Sequence, residues 1–384
     1  MKHIRVFTRK AILAAFFFGM PLIACMAEPC DTLSLLFVGD LMQHKAQIDA
    51  ARRSDGSYDY SGCFSELAPE MGKADIAVGN LEVPLGGKPY TGYPAFSAPD
   101  EWLYALRDAG FDVFLAANNH CLDRGRNGLE RTVAMFDSLD IKYAGIYRDT
   151  LERTKRYPLL LEKKGFRIVF LNYTYGTNGI PVPPPNVVNM IDKKQIRQDV
   201  LAARRMKPDA IIACMHWGIE YESLPKESER NLARWMLELG VDHIISSHPH
   251  VVQPVEIVDT LPDKRPHVVA YSLGNFISNM SLIHTDGGLA VKLLLRKSNG
   301  ITRLADCGYS FVWTSRPALS GKRNYAVYPS NVNPDKLNAA EKNRMEMFLS
   351  NARRLFRQHA IGIKFGIKEY FFEKKTSEKF AGSK

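Results

Sequence analysis

Short apolar, β-branched runs recur along this chain, each followed by a polar turn and then a helical pattern, and this alternation limits the fold more than any other feature. Leu33 to Val38, Asp75 to Val78, Phe111 to Ala116, Arg167 to Asn172, Ala210 to Cys214 and His243 to Ser246 read as buried strands. Arg126 to Leu139, Asp192 to Met206 and Glu227 to Leu239 carry amphipathic helical spacing, and Gly240 stops the last of them. Strands alternating with helices imply an α/β class, a largely parallel sheet with helices on its faces. Later, His267 to Leu273, Leu289 to Arg296 and Ile301 to Tyr309 follow one another closely, with Ser298-Asn299-Gly300 as a turn, so an antiparallel portion is added. Pro181 to Pro185 excludes helix and central strand and extends a long loop that begins at Tyr173. Such a loop forms either a lid or substrate wall, or a plain surface excursion. Pro334 to Gln358 reads as a helical segment packed outside the main unit.

The ends of the strands carry the chemistry. In open α/β sheets ligands gather beyond the carboxyl ends of the strands. Here those ends are Asp40, then Asn80 and Glu82, then Asn119 and His120 with Asp123 just beyond, then His216, Trp217 and Glu220, then His248 and His250, and finally Asn275. Singly, each has an ordinary reading: an Asp as a turn or helix cap, a His as a satisfied structural residue, an Asn pair as a turn. Together, two carboxylates, an amide and several imidazoles at one end of a sheet point to a metal site. Imidazole with oxygen donors suits Zn, Fe or Mn, and the lack of clustered thiolates argues against a Cys-rich structural zinc site. One or two divalent ions are expected. A pair would clamp a phosphoryl oxygen and lower the pKa of bound water. His120, beside Asn119, would then serve as general acid, with Asp123 in the catalytic set. His44, Asn80, Tyr175, Trp217, Glu220 and Asn275 are the candidate substrate-binding residues.

The first thirty residues read as a targeting signal. A basic stretch, Lys2 to Lys10, leads into an apolar run, Ala11 to Ala24, too short to span a bilayer comfortably. Leu22-Ile23-Ala24-Cys25 resembles a lipoprotein lipobox with Cys25 as the lipid-bearing residue; cleavage after Ala27 and an uncleaved anchor are the competing readings. The expected organisation is a signal over 1–27, a catalytic-type domain over 31–315, and a helical extension with a basic tail over 316–384. Export to the cell envelope, with a membrane partner through the lipid anchor, follows from the signal. The formal charge of +10 lies partly at the two ends, and no aromatic-basic interleaving marks a nucleic-acid surface, so nucleic acid is not an expected partner. The remaining cysteines, Cys30, Cys63, Cys121, Cys214 and Cys307, are odd in number and widely spaced, and read as buried apolar residues; a Cys30–Cys63 bridge stays open.

Seven ordered motifs make the chain similar to the bacterial CapA (poly-γ-glutamate synthesis) family. They are G-D at Asp40, N-L-E at Asn80 to Glu82, N-N-H-x-x-D at Asn118 to Asp123, Y-T-Y-G-T-N-G at Tyr173 to Gly179, H-W-G-x-E-Y at His216 to Tyr221, S-H-P-H-V-V-Q-P at Ser247 to Pro254 and Y-S-L-G-N-F at Tyr271 to Phe276. The resemblance runs from about Leu33 to Leu295. It implies a calcineurin-like metallophosphoesterase fold, an α+β sandwich of mixed sheets flanked by helices. By that resemblance Asp40 is the first-motif aspartate and Glu82 the bridging carboxylate. Asn119, His216 and His248 share one ion, and His250 reaches the other. Two residues depart from the phosphoesterase pattern: Met42 stands where Asp-x-His is usual, with His44 further on, and Glu82 stands where an aspartate is usual.

Three functions follow as expectations. The first is a metal-dependent hydrolase acting on a phosphoester, ester or amide of envelope material. The second is a non-catalytic role in synthesis or export of an anionic polymer such as poly-γ-glutamate. The third is a surface lipoprotein that only binds partners.

Overall fold

The computed structural model describes residues 31–359 and 368–370, so the signal segment, Cys25, Cys30 and most of the basic tail lie outside the described residues. The apolar runs do form strands, and they divide between two mixed sheets, as the family resemblance implied, and not into the one largely parallel sheet that the alternation alone suggested. Asp31–Leu41 lies at the centre of the first sheet, parallel to Ile76–Leu81 on one side and antiparallel to Gly287–Ser298 on the other. Val113–Leu115 and Lys142–Ala144 extend the parallel side, and Ile301–Ser315 and Ala326–Pro329 the antiparallel side. The second sheet runs in the order Val255–Val258, His267–Ala270, His243–Ser247, Ala210–His216, Phe166–Thr174, Leu159–Lys163, parallel in its middle and antiparallel at both edges. Strands buried on both faces look alike in sequence, so periodicity does not report which sheet each joins. The sheets close on each other: the rings of Phe37 and Phe170, one from each, have centroids 6.3 Å apart within one continuous apolar core.

Local signals account for the helices that cover this sandwich. The Asp192 carboxylate caps Lys193–Arg205 by accepting from the Gln195 N–H at 2.7 Å. Glu227–Leu239 ends at Gly240, whose φ of 112° no β-carbon favours. After Ser315 the chain adds the edge strand Ala326–Pro329, and the helical segment expected over Pro334 to Gln358, read as packed outside the main unit, lies as Ala339–His359 against the first sheet. That helix buries Met345, Phe348, Leu349 and Phe356 in the common core. Its start is a reciprocal cap, Asn338 Oδ1 accepting from Glu341 N–H and Glu341 Oε2 from Asn338 N–H, each at 2.9 Å. Buried Asp286 ties it down further, accepting from Arg344 Nε at 2.6 Å and Trp313 Nε1 at 3.3 Å. Among the described residues no helix is long and apolar enough to cross a membrane.

His243 gives the fold a measurable acid sensitivity. It is buried, its Nδ1 accepts the Val268 N–H at 3.1 Å, and burial pushes its pKa down to about 3. Its unfolded value is near 6.5. The unfolded chain therefore binds a proton that the native state refuses, so stability is full above that value and is lost as pH falls toward 3. Between pH 6.5 and about pH 5 this one residue is expected to cost about 2 kcal/mol. Urea denaturation across that range should show the slope, and a His243→Gln variant should flatten it.

Candidate metal centre

Asp40 sits where the first strand meets three neighbours. In register it faces Asn80 on one side and Asn275 on the other. Its own N–H donates to Gly274 O at 2.9 Å, and a β-carbon on Gly39 would meet that oxygen at 1.8 Å, so the glycine before Asp40 is a steric requirement. Asn80 Nδ2 donates to Asp40 Oδ1 at 2.7 Å and lies 3.4 Å from Glu82 Oε2, fixing both carboxylates. Asn275 Oδ1 lies 3.1 Å from His250 Nδ1, with its amide nitrogen donating to Thr285 O at 2.8 Å. Asn80 and Asn275 thus orient the carboxylates and His250.

The imidazoles arrive from the second sheet. His216 ends one strand, and the turn after Ser247 supplies His248 and His250, both with left-handed backbone at φ of 112° and 58°. For residues with a β-carbon this conformation is strained, and it is held by Trp217 N–H donating to Ser247 O at 3.1 Å and Tyr221 N–H donating to Pro249 O at 2.8 Å. Two groups of donors result. Glu82, His216 and His248 form one, Asp40, Glu82 and His250 the other, and within each the donor atoms lie within 4.8 Å of one another. Glu82 belongs to both. Asn119 Oδ1 adjoins the first group, 2.8 Å from His216 Nε2.

The electrostatics fit a cation. Asp40, Glu82, His216 and His250 are essentially inaccessible to solvent; Asp40 Oδ2 faces His250 Nδ1 at 3.2 Å, while Glu82 Oε1 and His248 Nδ1 are buried without a hydrogen-bond partner. Burial and the adjacent Asp40 charge hold the Glu82 carboxyl well above its ordinary range. Burial opposes ionisation of Asp40, but the hydrogen bond and charge of His250 outweigh it and hold its pKa down. Burial and the neighbouring imidazoles push His216 well down, and His248 down to about 3, leaving both neutral, as metal ligation requires. Asp40 holds the His250 pKa up against its burial, so that pair gives up a proton when an ion binds, while the unpartnered Glu82 oxygen with neutral His216 and His248 is a donor set a divalent ion takes.

The other expected residues divide by position. His120 Nδ1 lies 2.8 Å from Asp123 Oδ2, and that carboxylate also accepts the Phe96 N–H at 2.9 Å. Tyr175 is half-exposed, its ring 4.5 Å from His248 and near-parallel to His216. Glu220 is exposed at the rim. Trp217 is not brought to the opening: it is buried, donates Nε1 to Tyr271 O at 3.2 Å and stacks on that ring. His44 accepts from Asn279 N–H at 3.3 Å, packs on Phe96 and belongs to neither donor group. Met42, at the position usually held by a first-motif histidine, is buried.

Two contributors escaped sequence reasoning. Asn178, from the long loop after Tyr173, accepts from Asn119 Nδ2 at 3.1 Å and lies 3.3 Å from His120 Nδ1, so that loop forms a wall of the centre. Asn172 Oδ1 crosses between the sheets to accept from Ala116 and Ala117 N–H at 3.1 and 2.8 Å, holding the segment that leads into Asn119 and His120. Asn178 lay inside a quoted motif; nothing in sequence marks Asn172 from any strand residue.

Residues 34–280 match the family model described as bacterial capsule synthesis protein PGA_cap. The chain belongs to this family. Its PGA_cap relatives include the PGA biosynthesis protein CapA of Bacillus subtilis (strain 168), 28% identical over 297 residues, covering 71% of this chain and 70% of the relative. The capsule biosynthesis protein CapA of Bacillus anthracis is 26% identical over 277 residues, 69% of this chain and 64% of the relative. Among solved structures, the calcineurin-like phosphoesterase YfkN from Bacillus subtilis aligns over 86% of this chain and 100% of its own, at 14% identity and a TM-score of 0.44. The 5'-nucleotidase from Candida albicans SC5314 aligns over 84% of this chain and 58% of its own, at 10% identity and a TM-score of 0.42. Both alignments are loose, and the donor geometry stands without them.

Proposed function

We propose that this PGA_cap protein is an exported, metal-dependent hydrolase that cuts a phosphoester or amide bond in an anionic capsule-type polymer or its precursor. The observation that carries this reading is the sharing of Glu82, one buried carboxylate serving two donor groups with an unpartnered oxygen between imidazoles. Relatives named for PGA and capsule biosynthesis support the polymer setting. Export and a lipid anchor at Cys25 are supported by the basic and apolar N-terminus alone.

When bound, a pair of Mn, Fe or Zn ions supplies polarisation of the scissile group and a water acidic enough to attack at neutral pH. Asp40, Glu82, Asn119, His216, His248 and His250 would hold it. Asp123 fixes the His120 ring through Nδ1, which leaves Nε2 to deliver a proton to the departing oxygen or nitrogen. Tyr175 and Asn178 wall the centre on the side of the long loop.

The test is a panel of phosphodiesters and γ-glutamyl peptides assayed with the metal-loaded protein and with His120→Asn. Turnover is expected to fall about 10²- to 10⁴-fold in the variant while metal content stays at the parent level. Undiminished turnover in His120→Asn would remove that residue from the mechanism; no turnover by the parent on any substrate would count against the hydrolase. Buried Met42 favours a second reading. With no imidazole there, the Asp40 group has only three donors, as suits a protein that handles polymer around a single ion. Elemental analysis separates the two, at about two ions per chain or about one.

A further inference from the structure

We propose that the mouth of the centre takes a substrate bearing a primary ammonium group close to the scissile bond, with Glu220 as its partner and exposed tyrosines as its walls. The proposal rests on the hydrolase reading and names the substrate class of that site.

Three exposed tyrosines stand about this mouth: Tyr93 at 73%, Tyr175 at 46% and Tyr221 at 47% relative exposure. Tyr175 lies against His248, and Tyr221 has its ring centroid 6.3 Å from that of His250. Glu220 is exposed in the turn between Trp217 and Tyr221, which the bonds to Ser247 O and Pro249 O pin to the histidine turn. The Glu220 charge helps hold up the pKa values of Glu82, His250, Tyr175 and Tyr221. Among the described residues no Lys or Arg hydrogen-bonds or ion-pairs with the ligands, with His120 or Asp123, or with Glu220.

That composition sorts substrates. Ions in the centre would satisfy one anionic or carbonyl group, the scissile one. The next group outward meets the exposed Glu220 carboxylate and aromatic faces. A carboxylate there is repelled by Glu220, whereas an ammonium pairs with it and packs on the tyrosine faces. The interior of a polyanion carries a carboxylate at every repeat, but its amino terminus offers an ammonium. The site therefore favours the amine-bearing end of a chain over its interior.

The experiment is isothermal titration of the manganese-loaded protein with a γ-glutamyl tripeptide bearing a free α-amine and with its N-acetylated twin. The same comparison is made with glucosamine 1-phosphate and its N-acetyl form, and the pair with the larger ratio identifies a peptide or amino-sugar source. The free amine is expected to bind about tenfold tighter, as for a charge-assisted contact. That ratio should fall to about one in Glu220→Gln and invert in Glu220→Lys. Equal binding of both twins by the parent, or a ratio that survives Glu220→Gln, overturns the proposal. Discrimination that persists without cleavage of any probe sinks the hydrolase reading and leaves the recognition intact.

Discussion

Glu82→Gln is expected to empty both donor groups at once. Its carboxylate is common to Glu82, His216 and His248 and to Asp40, Glu82 and His250, so neutralising it leaves one carboxylate for two positions. Carboxylate and imidazole donors set the affinity of such centres, and an amide in place of a bridging carboxylate neither bridges nor neutralises. Elemental analysis of the purified variant should return little transition metal where the parent returns one to two equivalents. The same substitution has the opposite sign in metal-free protein. Burial and Asp40 raise the folded pKa of Glu82 well above its ordinary 4.5. Between those two values the native state binds a proton that the unfolded chain does not, so stability falls as pH rises through that window. Glutamine removes the titration. The metal-free variant should therefore melt above the metal-free parent at neutral pH, and the order should reverse when metal is added. A ligand at a hundred times its Kd stabilises the parent by about 2.7 kcal/mol and gives the variant little. Equal metal in parent and variant would show that Glu82 is no ligand.

Asn172→Leu should destabilise the fold and disturb the centre from a distance. Its amide oxygen serves Ala116 and Ala117 N–H, and its amide nitrogen donates to Cys214 O at 3.1 Å, so one side chain satisfies backbone groups of both sheets. Leucine fills a similar volume but satisfies none of them. Ala116 N–H keeps its bond to Ala144 O at 2.9 Å, so the loss falls on Ala117 N–H and Cys214 O, and at about 1–3 kcal/mol for each a total of about 2 kcal/mol or more is expected by urea denaturation. The site leaves no room for adjustment: a β-carbon on Gly145 would lie 2.3 Å from both Asn172 Oδ1 and Ala117 N. Because Ala117 leads directly into Asn118 and Asn119, the variant should also bind metal more weakly at the position Asn119 adjoins. A shift in stability with unchanged metal affinity would confine Asn172 to holding the sheets together.

Much of the centre was legible before any coordinate. Asp40, Glu82, His216, His248 and His250 each close a local apolar run, and the structure brings all five together. Resemblance to the family, and not spacing, implied how they divide between two positions. Trp217 reads like a rim residue because it follows a strand end, yet its indole N–H finds Tyr271 O inside the core.

The amino-acid order alone established the local facts: which runs are strands, where Gly240 and Asp192 bound helices, and which polar residue each strand hands to its end. These depend on residues within one turn or a few pleats, and periodicity records them. The assignment of each strand to one of the two sheets, the left-handed backbone at His248 and His250, and the reach of Asn172 and Asn178 arose only in the folded chain; that there is a sandwich of mixed sheets was implied by the family resemblance. Those features join residues far apart in sequence, such as Asn172 and Ala117. They are set by which apolar faces cover one another and which buried N–H groups then need a partner, a choice that chain-local patterns do not encode.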